Sequence, residues 1–308
     1  MKKGLVRFCV AVIAVLLSVA VADVTIGKAL DWMVPQISNQ GDTGKTYYSL
    51  NDVNTPVVIV GSSRAAHHYV TQMIEDSLRL PAYNVARDGC FFSYNCCVVN
   101  SILDRYAPQL IVWENGTEYL YEEVDDPLES LYPYYGHNAW VERAIKEELP
   151  CTEYARLNSN IYRYNSIVHR VMSRYRGHNS FVDETIKGYM PLAPKHLRRA
   201  LSLENEIAYS GLLSNTKVER FKQTLARAKD KGVRVVVVDS PKFNKRKKNS
   251  LSAIKMQRIC RQYGATFIDN SQLPYFLEHP ELFNDATHMN DDGAKIYTQL
   301  FIEQIQTK

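Results

Sequence analysis

Two short clusters, one on each side of the chain's middle, combine residue types that do nucleophilic chemistry. The first is Gly61-Ser62-Ser63-Arg64, directly after the apolar run Pro56-Val57-Val58-Ile59-Val60. A hydroxyl at a strand-to-helix turn is well presented for attack, and the helix-start amides beside it can meet a developing oxyanion. The second is Asn284-Asp285-Ala286-Thr287-His288-Met289-Asn290, just before the final helical segment. An aspartate three residues ahead of a histidine lets the carboxylate hold one imidazole nitrogen while the other faces a serine. Two more polar clusters follow apolar runs: Arg87-Asp88-Gly89 and Glu114-Asn115-Gly116-Thr117-Glu118. Each motif alone is common, since serine opening a helix is usually a cap. Their conjunction gives a serine nucleophile with a histidine base and an aspartate to orient it.

These residues need a scaffold that brings strand ends together. Residues 56–60, 83–86, 110–113, 233–238 and 265–268 are short runs, apolar almost throughout, each separated from the next by helical spacing. Strands that are apolar on both faces and alternate with helices imply a parallel sheet covered on both sides. Ligands of such sheets sit beyond the carboxyl ends of the strands, where three of these clusters fall, those at Ser63, Asp88 and Glu114. Helices are expected over residues 64–78, 92–106, 217–231, 254–263 and 291–306. Residues 120–216 interrupt the rhythm with tyrosine-rich, mainly helical or irregular sequence, expected as a large insertion on the strand ends, shaping specificity more than stability. The fold expected is three-layer α/β/α around a roughly five-stranded parallel sheet, flavodoxin-like.

Lys2, Lys3 and Arg7 precede fifteen uncharged, mostly apolar residues, Phe8 to Ala22, followed by Asp23. That pattern is a signal peptide or signal anchor. Ala20-Val21-Ala22 satisfies the small-x-small cleavage rule, and fifteen helical residues reach only about 22 Å, whereas continuation to Ile26 lengthens the span. Residues 1–34 are therefore expected as the export segment, 35–55 as a polar connector, and 56–308 as the folded domain, lying outside the cytoplasm. If the segment is retained as an anchor, the domain stands at the periplasmic face of an inner membrane.

Composition narrows the function classes. Net charge is +4, from 37 basic and 33 acidic side chains, which gives no concentrated basic footprint for nucleic acid. One basic run, Lys242 to Lys248, is expected as a solvated loop or a contact for acidic lipid or glycan. Six cysteines without a C-x-x-C pair offer neither metal spacing nor a disulfide framework, no phosphate-cradling loop occurs, and no cofactor is implied. His67 stands four residues after Ser63, within reach as an alternative base.

The arrangement resembles the SGNH (GDSL-like) hydrolase superfamily over residues 56–118 and 217–305, in a membrane-tethered bacterial form with a Gly-Ser-Ser-Arg first block. In that likeness Ser63 matches the nucleophile and its amide one oxyanion donor. Gly89 matches the glycine whose amide is a second donor, His288 the general base and Asp285 its orienting carboxylate. The third block departs from the family pattern: Glu118 falls where an asparagine donor belongs, so Asn115 is the candidate from a shifted position. Arg64 is the candidate for binding an anionic group of the substrate. The resemblance implies a serine esterase acting on an acylated carbohydrate or another ester. An acyltransferase modifying an envelope polysaccharide, or an inactive tethered binding or assembly protein, would carry the same fold. Gly61-x-Ser63-x-Ala65 is also one residue from the nucleophile elbow of α/β-hydrolases, but those bring acid and histidine from separate loops.

Overall fold

The structure, a computed structural model, describes residues 2–165, 167–177, 185–194, 201–205, 209, 211–245 and 250–307. Five strands form one parallel sheet: β1 (Val57–Val60), β2 (Ala82–Asn84), β3 (Leu110–Glu114), β4 (Arg234–Asp239) and β5 (Thr266–Asp269). Their order is β2-β1-β3-β4-β5, every neighbouring pair parallel. The chain steps outward from β1 to β2, then crosses back to β3, so the direction of winding reverses between β1 and β3. Crevices at such a reversal are where open parallel sheets bind ligands.

Strand apolarity follows from the two covered faces. Val58, Val60, Ile111, Trp113, Val235 and Val237 pack under helices Phe92–Arg105, Asn215–Asp230 and Leu251–Tyr263. Val57, Ile59, Leu110, Val112, Val236 and Val238 face helices Ser63–His68, Thr71–Leu78 and Asp291–Gln306. The sheet is the middle of three layers, as the alternation of strands and helices requires.

Three expectations are corrected. The helix expected over residues 64–78 is two helices, because Tyr69 and Val70 are extended between Ser63–His68 and Thr71–Leu78. The break turns the Tyr69 ring into the core against Tyr297 and Phe301, while Thr298 Oγ1 accepts the Val70 N–H. Residues 35–55 are not a polar connector. They include helix Gly41–Tyr47 and a π-helical turn, with Thr43, Thr46, Ser49, Leu50 and Val53 all buried. Their polar side chains find internal partners: Ser49 Oγ donates to Thr46 O, and Arg87 donates to Thr46 Oγ1. The insertion is likewise part of the core. Leu128, Leu131, Tyr134, Val141, Ala144, Ile145 and Leu157 join the same cluster as the helices over β1 and β3, and many insertion tyrosines pack against it.

Among the described residues, one helix, Lys2–Gln36, is long and apolar enough to cross a membrane, with a mean hydropathy of 2.7 in its best window. Signal sequences meet the same description. Its apolar N-terminal part is exposed, but its C-terminal end docks on the domain. Leu30 and Val34 pack with Tyr164, Ile167 and Val171. Asp23 accepts hydrogen bonds from Ser159 Oγ and from the Asn160 and Ile161 amides. All six cysteines are free. Of the basic run, Lys242 is buried rather than solvated, while residues 246–248 lie outside the described residues.

Candidate active site

β1 ends at Gly61, where the chain passes close to β3. A Cβ there would stand 2.6 Å from the Ala65 methyl and 2.9 Å from Glu114 Cβ, so only glycine lets the helix start this near the sheet. Ser62 occupies the cap position and Ser63 opens helix Ser63–His68. Ser62 Oγ is buried, 3.3 Å from the Tyr119 hydroxyl. Ser63 faces the other way, toward the loop between residues 283 and 290.

That loop is built to hold a histidine. Asp285 Oδ1 accepts the backbone N–H groups of Thr287 and His288, folding the turn around the carboxylate. Asn284 N–H donates to His288 O, and Asn290 caps the final helix by accepting Gly293 N–H. Within this frame His288 Nδ1 lies 2.9 Å from Asp285 Oδ2, and Nε2 lies 2.7 Å from Ser63 Oγ. Asp285 is an acceptor, so Nδ1 carries the proton and Nε2 offers its lone pair to the Ser63 hydroxyl. That is the tautomer a general base needs. Burial works against ionisation of Asp285, but hydrogen bonds from His288 and Thr287 outweigh it and hold the carboxyl well below its usual range. The histidine side chain is 26% exposed, open enough for a substrate to reach.

His68 links the two halves. Its Nε2 accepts the N–H of Met289, the residue after His288, and its Nδ1 donates to Ser240 Oγ at 2.8 Å. One buried imidazole thus ties the serine helix to the histidine loop and to the end of β4. Burial, with Arg64 nearby, pushes its pKa well down, which keeps the ring neutral as both bonds require. His67 is not positioned as the base of Ser63. Its nitrogens meet Met190 O and Asp88 Oδ2, and its ring stands edge-on to His288, 5.7 Å between centroids. Beside it, Gly89 takes φ +68° at the exposed tip of the turn Arg87–Cys90, whose two ends are buried, a conformation that suits glycine.

Two sequence candidates lie elsewhere. Arg64 does not reach out to substrate. It is 4% exposed, with Nη1 2.5 Å from Asp239 Oδ1 and 3.1 Å from Glu114 Oε1. Burial opposes its charge, yet Glu114, Asp239 and Glu118 outweigh that and raise its pKa well above the usual value. Asn115 is not an oxyanion donor. Strand alternation carries its side chain to the opposite face, where Nδ2 lies 3.9 Å from Met256 Sδ under helix Leu251–Tyr263. Glu118, aligned with the missing asparagine, accepts from Lys242 Nζ at 2.7 Å. Burial raises its pKa, but Lys242 more than compensates and holds it below the usual range. Glu114 differs: desolvation prevails over Arg64 and raises its pKa. Thr117 closes the cluster by donating both N–H and hydroxyl to Asp239 Oδ2. The sequence signal for this cluster is that Leu110–Glu114 and Arg234–Asp239 are apolar strands that each end in an acid, while Arg64 follows the turn after a third.

No protein-family model matches the chain, and no curated protein matches it.

Proposed function

We propose that this protein is a serine ester hydrolase of SGNH type, with Ser63 as nucleophile, His288 as base and Asp285 as the group that orients it. The observation that carries this reading is the Ser63–His288–Asp285 relay, with Nε2 2.7 Å from Ser63 Oγ and Nδ1 2.9 Å from Asp285 Oδ2, where winding reverses between β1 and β3. Ser63 Oγ attacks the ester carbonyl as its proton passes to His288 Nε2. The tetrahedral oxyanion is met by the Ser63 amide, unpaired as first-turn amides are, and by the Gly89 amide. Collapse breaks the ester C–O bond, and the departing alkoxide takes the proton from His288. Water then repeats the sequence on the acyl-enzyme and releases the acid. The N-terminal helix supports a site outside the cytoplasm, tethered to a membrane, with an acylated carbohydrate of the envelope as the substrate class. A panel of simple acetyl and acyl esters tests the reaction: turnover that disappears in Ser63→Ala is expected, and a wild-type protein that cleaves none refutes it.

One observation favours a second reading, an inactive tethered binding or assembly protein. The end of β3 supplies no side-chain donor, because Glu118 and Asn115 are committed elsewhere, and one lost oxyanion donor typically costs about 100- to 1000-fold in turnover.

A further inference from the structure

The Ser63 helix carries a second histidine whose bonds lead away from the nucleophile and toward the oxyanion side of the site. Ser63 and His67 are four residues apart, one above the other on a single helix face. The His67 ring is clamped at Nδ1. Met190 N–H donates to Ala66 O, and Met190 O, 2.7 Å away, accepts from His67 Nδ1. With Nδ1–H so committed, Nε2 faces Asp88 Oδ2, 3.3 Å away, and donates to it when the ring carries its second proton. Asp88 immediately precedes Gly89, and the turn that holds both is closed by Cys90 N–H donating to Arg87 O. Its other anchor is Arg87 N–H on Gly61 O, at the foot of the turn before Ser63. The Gly89 turn is therefore tied at two points, by the Arg87 backbone to the turn before Ser63 and by a side-chain strut from Asp88 to the Ser63 helix.

We propose that His67 and Asp88 are positioning residues that set the Gly89 amide relative to Ser63, so that the oxyanion site is aligned by the same helix that presents the nucleophile. This rests on the ester-hydrolase reading above, and it assigns His67 a task the triad leaves unfilled. His67 is neither base nor nucleophile: it holds a turn. The strut compensates for the end of β3, which contributes no side-chain donor and leaves the two backbone amides to carry the oxyanion.

The test uses the full chain in detergent as wild type, His67→Gln, Asp88→Ala and the double variant, with p-nitrophenyl acetate as substrate. Asp88 is 44% exposed on a turn, so its replacement spares the core, and Asp88→Ala is the variant that keeps the proposal testable should His67→Gln misfold. Each single variant is expected to lower kcat about 10- to 100-fold, short of the full loss of a donor, with KM within about twofold. The double variant should be no worse than the more impaired single, since both break one strut. Selective 15N-glycine labelling of the 14 glycines gives a readout independent of turnover: the Gly89 amide resonance should move in His67→Gln, whose changed side chain is not a chain neighbour of Gly89. A folded Asp88→Ala protein with kcat within twofold of wild type, or a folded His67→Gln protein with the Gly89 resonance unmoved, overturns the proposal. Should the wild type cleave no ester, the ester-hydrolase reading falls on its own. The strut is then decided by the Gly89 resonance in His67→Gln alone, standing if it moves and falling if it does not.

Discussion

The ends of β1 and β3 lie side by side in the sheet, and each turns polar as soon as its apolar run stops, but they use those polar residues in opposite ways. At β1 the helix turns Ser63 outward to a partly exposed histidine, and its hydroxyl meets His288. At β3 the charges turn inward. Arg64, Glu114, Asp239, Glu118 and Lys242 form a buried network in which each charged group meets at least one of opposite sign. Reactivity needs an atom that is oriented yet reachable; rigidity needs charges that are paired and dry. Arg64 connects the two ends, since it follows Ser63 directly and anchors the start of helix Ser63–His68 in the network.

Changes at the β1 end should be the most damaging to turnover. His288→Ala is expected to lower kcat by about 10⁶-fold, comparable to loss of the nucleophile, because serine without its base is a poor nucleophile. Asp285→Asn should cost about 10⁴-fold, less than the base itself. Steady-state kinetics on a simple ester checks both, and an Asp285→Asn protein at wild-type rate would break the assignment of this end.

Changes at the β3 end should register as stability. Arg64→Met leaves Glu114 and Asp239 without their shared cation, and removing one partner of a buried pair typically costs about 3–5 kcal/mol. Denaturant unfolding midpoints measure it; a loss under about 1 kcal/mol would show that the network does not carry the β3 end.

His68, on the boundary between the two ends, gives a pH signature. Its folded pKa is depressed below the ordinary 6.5, so the unfolded chain binds the extra proton first. Stability should therefore be full above about pH 7 and fall as pH drops through 6.5, by up to about 1.4 kcal/mol per unit. His68→Gln should flatten that slope, and an unchanged slope would remove His68 from the account.

The smallest effect concerns Asn115. With its amide under Met256, Asn115→Ala should change kcat by less than about threefold; a loss of about 100-fold would mean that it serves the oxyanion after all.

Residues whose role is set by local spacing were legible in the sequence. The five strands and the final helix follow from apolar runs between breakers, and helix Asp291–Gln306 has the bounds its pattern implies. Asp285 and His288 meet because one turn contains both. Ser63 could be told from Ser62 only through the resemblance, and geometry gives the physical difference: Ser62 is turned against Tyr119, Ser63 toward His288. What spacing could not give was any role fixed by a distant partner. Arg64 meets Asp239 across 175 positions of chain, and His68 meets Met289 across 221. Residues 35–55 were misread for the same reason, because Thr46 and Ser49 look like loop residues until Arg87 and the local backbone satisfy them. The insertion was misread because tyrosine-rich helical sequence gives no sign of which face it covers, and this one covers the helices over β1 and β3.

The claim at the centre of this account is that Ser63 is an activated nucleophile. Treatment of the full chain in detergent with a fluorophosphonate probe, followed by peptide mass mapping, tests it most directly. The account predicts one adduct, on Ser63, absent in Ser63→Ala, strongly reduced in His288→Ala and retained in Ser62→Ala. A folded wild-type protein that takes up no probe, or an adduct that survives Ser63→Ala, would contradict it.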